Sequence, residues 1–111
     1  MQSNKNQEII LLCTTPNKSI AKKIVKILLK KRLIACANLV KNIKSYYIWN
    51  NKLQKDKEIL MIMKSKKSLF DKINNKILKF HPYETPEIIS LNLQDIDKNY
   101  KIWLNENLIS E

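Results

Sequence analysis

Ile59-Leu60-Met61-Ile62-Met63 is the stretch from which the fold can be read. Five apolar residues in succession, bounded by Glu58 and Lys64, form a strand with apolar groups on both faces, because alternate side chains of a strand point to opposite sides. Working upstream, Asn50, Asn51 and Lys52 supply a turn, asparagine being the commonest substitute for glycine where φ is positive. The aromatic and β-branched residues at 45–49 and the apolar stretch at 34–40 then predict one long or broken strand, with its hairpin partner over about 58–64. Further upstream, residues 9–13 are a second five-residue apolar run ending in Thr14-Thr15-Pro16, a buried strand and a turn. Asn17 caps a helix predicted over 18–32, in which Ile20, Ala21, Ile24, Val25 and Leu28 recur at helical spacing. Downstream, Ser65 or Ser68 caps a second helix with Leu69, Phe70, Ile73, Ile77 and Leu78 on its inner side. A loop over 81–86 leads to a fourth strand at 87–93. Asp97 caps a last short helix in which Tyr100, Trp103, Leu104 and Leu108 share a face.

Strand, helix, strand, strand, helix, strand and terminal helix is the split pattern of ferredoxin-like α+β domains: a βαββαβ antiparallel sheet with a C-terminal helix added. Such a sheet carries both main helices on one side, so a monomer is expected to alternate apolar and polar residues along its strands. The two apolar runs do not alternate. The helix-free face therefore needs a cover, and self-association in a closed homo-oligomer supplies one where the terminal helix does not reach. Residues 1–8 are expected to be a flexible tail and residues 9–111 a single domain.

Composition narrows the function. The formal charge is +11, yet twenty lysines face a single arginine, Arg32, and the lysines are scattered over helices, turns and strand edges. That distribution argues against a specific nucleic-acid interface, which is read mainly through arginine and a localised stripe. No stretch approaches the roughly 18–20 apolar residues of a membrane span, and the polar start lacks the apolar run of a secretory signal, so a cytoplasmic location is expected. Cys13 and Cys36 are too sparse for a disulfide framework. Glycine is absent, which removes the usual phosphate cradle.

Three segments together resemble one family. They are Arg32-Leu33-Ile34-Ala35-Cys36-Ala37-Asn38, then Ser45, Tyr47 and Trp49 before the hairpin turn, and His81-Pro82-Tyr83-Glu84-Thr85-Pro86-Glu87-Ile88 after the second helix. With Cys13-Thr14-Thr15-Pro16 and the terminal Tyr100 and Trp103, they are similar to the CutA family of divalent-cation tolerance proteins over about residues 9–108. The resemblance implies a ferredoxin-like subunit in a stable homotrimer, a cytoplasmic setting, and a link to copper and other divalent metals. Cys13 and His81 match the positions associated with metal in that family, with Glu84 or Glu87 as a carboxylate from the same loop. Phe80 stands where some members have a second histidine, so copper binding is expected to be weak, and Asn51 stands where many have glycine. Tyr47, Trp49, Glu58, Lys64, Tyr83 and Glu87 also match, as candidates to line a cleft between subunits. Their ordinary alternatives are hairpin packing for Tyr47 and Trp49 and a solvated ion pair for Glu58. No nucleophile is placed by sequence beside the lone histidine, so an enzyme is not expected. The alternative is a trimeric signalling or scaffold module like the PII proteins, binding a small anionic effector or partner protein in clefts between subunits.

Overall fold

A computed structural model describes residues 4–110 of the chain. Strand β1 spans Glu8–Thr15, helix α1 Lys18–Lys30, strand β2 Cys36–Trp49, strand β3 Lys52–Lys66, helix α2 Phe70–Phe80, strand β4 Ile88–Asn92 and helix α3 Lys98–Glu106. The sheet order is β2-β3-β1-β4 with every neighbouring pair antiparallel, an α+β arrangement of ferredoxin-like order.

Register explains the two apolar runs. The pairs Leu11–Met63 and Cys13–Met61 put fully buried side chains against Ile24 and Leu28 of α1 and Ile73 and Ile77 of α2. The alternate pairs Leu12–Ile62, Ile10–Leu91, Leu12–Ile89 and Val40–Leu60 fall on the opposite face. There Val40, Ile89 and Leu91 are exposed, while Ile10, Leu12, Leu60 and Ile62 are half-buried. Helix α3 covers one end of this second face. Asn105 Nδ2 donates to Glu8 Oε2 at 2.9 Å, Tyr100 lies against Cys36, and Leu104 and Leu108 join the core. The far end of the sheet has no such cover among the described residues.

Beyond Ile59, which pairs with Thr15, β3 loses β1 and continues with β2 alone as a two-stranded arm. This is why β3 runs over Lys52–Lys66 and not only 58–64: its first six residues are mostly polar because solvent borders the arm. The arm ends in a tight turn in which Asn50 and Asn51 have φ of 51° and 62°, the double positive φ that a two-residue hairpin loop requires. The expected long strand is continuous through a bulge between Val40 and Ile43, where Asn42 takes φ 61°.

Asn17 and Asp97 cap α1 and α3 as expected, accepting from the backbone N–H of Ile20 and Tyr100 at 3.0 Å each. The first helix stops at Lys30 because Arg32 turns left-handed at φ 57° and donates to the Glu106 carbonyl. The expected cap of the second helix is corrected. Ser65 is buried within β3 and donates to the Leu33 carbonyl at 2.6 Å, and the Ser68 hydroxyl is buried with no hydrogen-bond partner among the described residues, inside a 3-10 turn, Lys67–Leu69. Helix α2 begins at Phe70 with no side-chain cap. Within the expected tail, Lys5 and Gln7 are hydrogen-bonded through their carbonyls to Ser68 and Lys67, while residues 1–3 lie outside the described ones.

Candidate functional site

Where the arm leaves the sheet, the loop between α2 and β4 folds against it and leaves a cavity of about 380 Å³. Its walls are Thr14 from the end of β1, Ser45, Tyr46, Tyr47 and Trp49 from β2, Glu58 from β3, and Tyr83, Glu84, Thr85 and Glu87 from the loop. Strand alternation puts Thr14, Ser45, Tyr47, Trp49 and Glu58 on the face turned away from α1 and α2. Five cleft candidates from the sequence, Tyr47, Trp49, Glu58, Tyr83 and Glu87, thus meet in one place, and Glu84 joins them. Lys64 does not: it pairs with Ile10 and Cys36 further along the sheet, and its ammonium donates to the Asn38 side chain. Thr14, Ser45, Tyr46 and Thr85 are additions. The alternation of Ser45, Tyr47 and Trp49 along one strand face was the available signal for Ser45.

The polar groups of the cavity are ordered by two phenols. Tyr83 Oη donates to Glu58 Oε2 at 2.9 Å, and Tyr47 Oη donates to Asp56 Oδ2. Burial first, and then the hydrogen bond to Glu58, raises the Tyr83 hydroxyl above its ordinary range; the bond to Asp56 does the same for Tyr47. Both therefore remain donors to their carboxylates. Glu58 is only 6% exposed, and the Tyr83 hydroxyl is its sole side-chain partner among the described residues.

Cys13 and His81 sit beneath this cavity. Cys13 is fully buried, its Sγ donating to the Thr14 carbonyl at 3.7 Å. Burial, with smaller contributions from Glu87 and Glu58, pushes the thiol up from 9.0 to about 12. His81 is buried as well, and both ring nitrogens are engaged. Nδ1 accepts from the Tyr83 backbone N–H at 3.1 Å, so Nε2 carries the proton and donates to the Thr14 carbonyl at 2.7 Å. A metal ligand needs a deprotonated sulfur or a free imidazole lone pair. Neither is presented, and among the described residues no group of three or more His, Cys, Asp or Glu converges as a metal site. As arranged, Cys13 and His81 do not fit a resident copper ion. Phe80 lies under the ammonium groups of Lys23 and Lys79, 5.3 and 5.6 Å from its ring centre.

A family model described as CutA1 divalent ion tolerance protein matches residues 9–107. This chain belongs to the CutA1 family. A divalent-cation tolerance protein CutA from Pyrococcus horikoshii is 41% identical over 98 residues, covering 88% of this chain and 95% of its own. Among solved structures, CutA1 from Oryza sativa superposes with a TM-score of 0.92 at 32% identity, over 98% of this chain and all of that one. A CutA from Archaeoglobus fulgidus, described as periplasmic, has a TM-score of 0.88 at 30% identity, over 90% and 97% of the two chains. CutA1 membership fixes the functional class as divalent-cation tolerance and does not favour the PII-like signalling alternative. No helix among the described residues is long and apolar enough to cross a membrane.

Proposed function

We propose that this CutA1 chain acts in the cytoplasm as a homotrimer, meeting divalent cations through the carboxylates around its cavity, in a binding role and not a catalytic one. The observation that carries the reading is the wall itself: Glu58, Glu84 and Glu87 all line the cavity, without meeting at one point, in a chain whose formal charge is +11. Local anionic character against a basic background concentrates cations there. The trimer is supported by the uncovered apolar end of the sheet, where Val40, Ile89 and Leu91 are exposed. The non-catalytic reading is supported by the bonding of Cys13 and His81, which both donate to the Thr14 carbonyl, so that neither activates the other.

Copper in this scheme is a weak competitor. Binding at Cys13 and His81 requires the imidazole to turn from Thr14, release the Tyr83 N–H and meet a thiol that must lose its proton, whereas Glu84 and Glu87 are exposed and ready. Native mass spectrometry with and without one equivalent of copper tests this on wild type, a Cys13→Ser, His81→Ala variant and a Glu84→Gln, Glu87→Gln variant. A trimer whose weak uptake falls only in the carboxylate variant is the expected result. Uptake lost only in the Cys13, His81 variant would reverse the assignment, and a monomer would remove the oligomeric part.

A further inference from the structure

The carboxylates and aromatic rings of the cavity wall favour a ligand that offers donors and positive charge. Its carboxylates accept and cannot donate while ionised. Its two hydrogen-bonded phenols already direct their O–H groups to carboxylates, Tyr83 to Glu58 and Tyr47 to Asp56, which leaves their oxygen lone pairs as acceptors. No lysine or arginine lines it. Four of the chain's ten acidic residues, Asp56, Glu58, Glu84 and Glu87, stand in or beside it. An anion entering here would meet the carboxylates of Glu58, Glu84 and Glu87, and beside the wall the Lys55 ammonium lies over the Tyr46 ring, 5.7 Å from its centre.

Four of the chain's eight aromatic residues also line it, namely Tyr46, Tyr47, Trp49 and Tyr83. A ring face attracts a cation with roughly 0.5–2 kcal/mol, most strongly when the cation is large and weakly hydrated. A small hard ion gains little from such walls. It needs several oxygens around one point, and among the described residues no three acidic, histidine or cysteine side chains converge in that way. Separated carboxylates and intervening rings instead match a ligand whose charges are themselves separated by methylenes.

Glu58 supplies the independent pointer. It is more than nine-tenths buried, borders the cavity, and has one oxygen on Tyr83 while the other has no hydrogen bond or ion pair among the described residues. A carboxylate so far removed from water without a cation costs several kcal/mol unless something positive completes it.

We infer that this cavity binds an organic polyamine, a linear ligand with two or more ammonium groups, one paired with Glu58 against the Trp49 and Tyr83 rings and another with Glu84 or Glu87 at the mouth. The inference rests on reading the cavity as the ligand site, but not on any metal. It adds a second class of cation, distinguished from metal by its use of the aromatic walls.

Titration calorimetry on the full-length protein in its solution assembly tests the inference, with spermidine and 1,4-diaminobutane as probes and manganese chloride and sodium sulfate as controls. The chain as a whole repels cations, so saturable polyamine uptake has to come from a local anionic site, and the variants show whether it is this one. Expected are saturable binding in wild type and a loss of about tenfold or more in Glu84→Gln, Glu87→Gln, whose substitutions lie at exposed loop positions. A similar loss is expected in Trp49→Leu, larger for the polyamines than for manganese. Glu58→Gln, checked for folding by circular dichroism, should weaken polyamines further. Polyamine binding that is absent, or untouched by both the loop and Trp49 variants, overturns the inference. If manganese still binds in that case, the cavity remains a ligand site; if neither binds, that reading falls too. Sulfate binding that needs Trp49 would overturn it in favour of an anion.

Discussion

Cys13 should be nearly inert to alkylation in the folded protein. Its thiol, raised to about 12, is ionised to about one part in ten thousand at pH 8, against about one in ten for a thiol at 9.0. Reaction through the thiolate is therefore slowed about a thousandfold before the absence of any exposed surface is counted. Iodoacetamide labelling at pH 8, followed by peptide mass spectrometry, measures this against the same residue in guanidinium-unfolded protein. The sign of the linkage gives a second readout. The folded value lies above the unfolded one, so the contribution is fully present below about pH 9 and is lost as pH rises from 9.0 toward 12. At pH 10 the loss is about 1.4 kcal/mol, and it approaches roughly 4 kcal/mol by pH 12. Cys13→Ala should remove that share of the alkaline decline in chemical denaturation at pH 8 and 10. Native labelling within tenfold of the unfolded rate, or an alkaline decline identical in the variant, would refute the argument. Cys13 would then be a thiol ready for soft metals.

Asn51→Gly, at φ 62°, should stabilise the protein by about 0.5–1 kcal/mol in guanidinium denaturation, and Asn51→Val should destabilise it by more than that. Leu104→Ala empties a fully buried position linking α3 to the core and should cost about 2–5 kcal/mol, measured at fixed protein concentration because assembly shifts the midpoint. Tyr83→Phe leaves Glu58 without its only side-chain donor among the described residues, and a loss of about 1–3 kcal/mol is expected in the same denaturation assay. Adding Glu58→Gln to the Tyr83→Phe variant should restore stability if the buried charge is the cause.

The element order was legible because each core-facing segment is long enough to show its period: residues 20–28 repeat as a helix, and 9–13 and 59–63 are unbroken apolar runs. The first half of β3 was not, since Lys52 to Lys57 lie on an arm with no third layer to demand apolar residues. Ser65 and Ser68 misled as caps because a serine before a helical pattern looks the same whether its hydroxyl turns to the helix or into the core; here Ser65 reaches Leu33. Around the site, Tyr47, Trp49, Glu58, Tyr83 and Glu87 could be grouped from family resemblance, but bonding could not. That Asp56 takes the Tyr47 hydroxyl, or that His81 has both nitrogens occupied, depends on backbone placed more than sixty residues away for Thr14 and His81.

Glycine's absence has left a record in the backbone. All four left-handed residues among those described, Arg32, Asn42, Asn50 and Asn51, carry a Cβ, and three are asparagine, the residue that tolerates this region best. Lysine, isoleucine and asparagine can be written with adenine and thymine alone, whereas every glycine codon begins with two guanines. A chain holding twenty, seventeen and thirteen of the former and none of the latter has the composition that a codon bias toward adenine and thymine produces. The fold absorbed that bias by moving its sharp turns onto asparagine, and only at Arg32 did it accept a residue poorly suited to the angle. A composition without glycine is thus matched in this protein by a pattern of torsion angles carried mainly on asparagine.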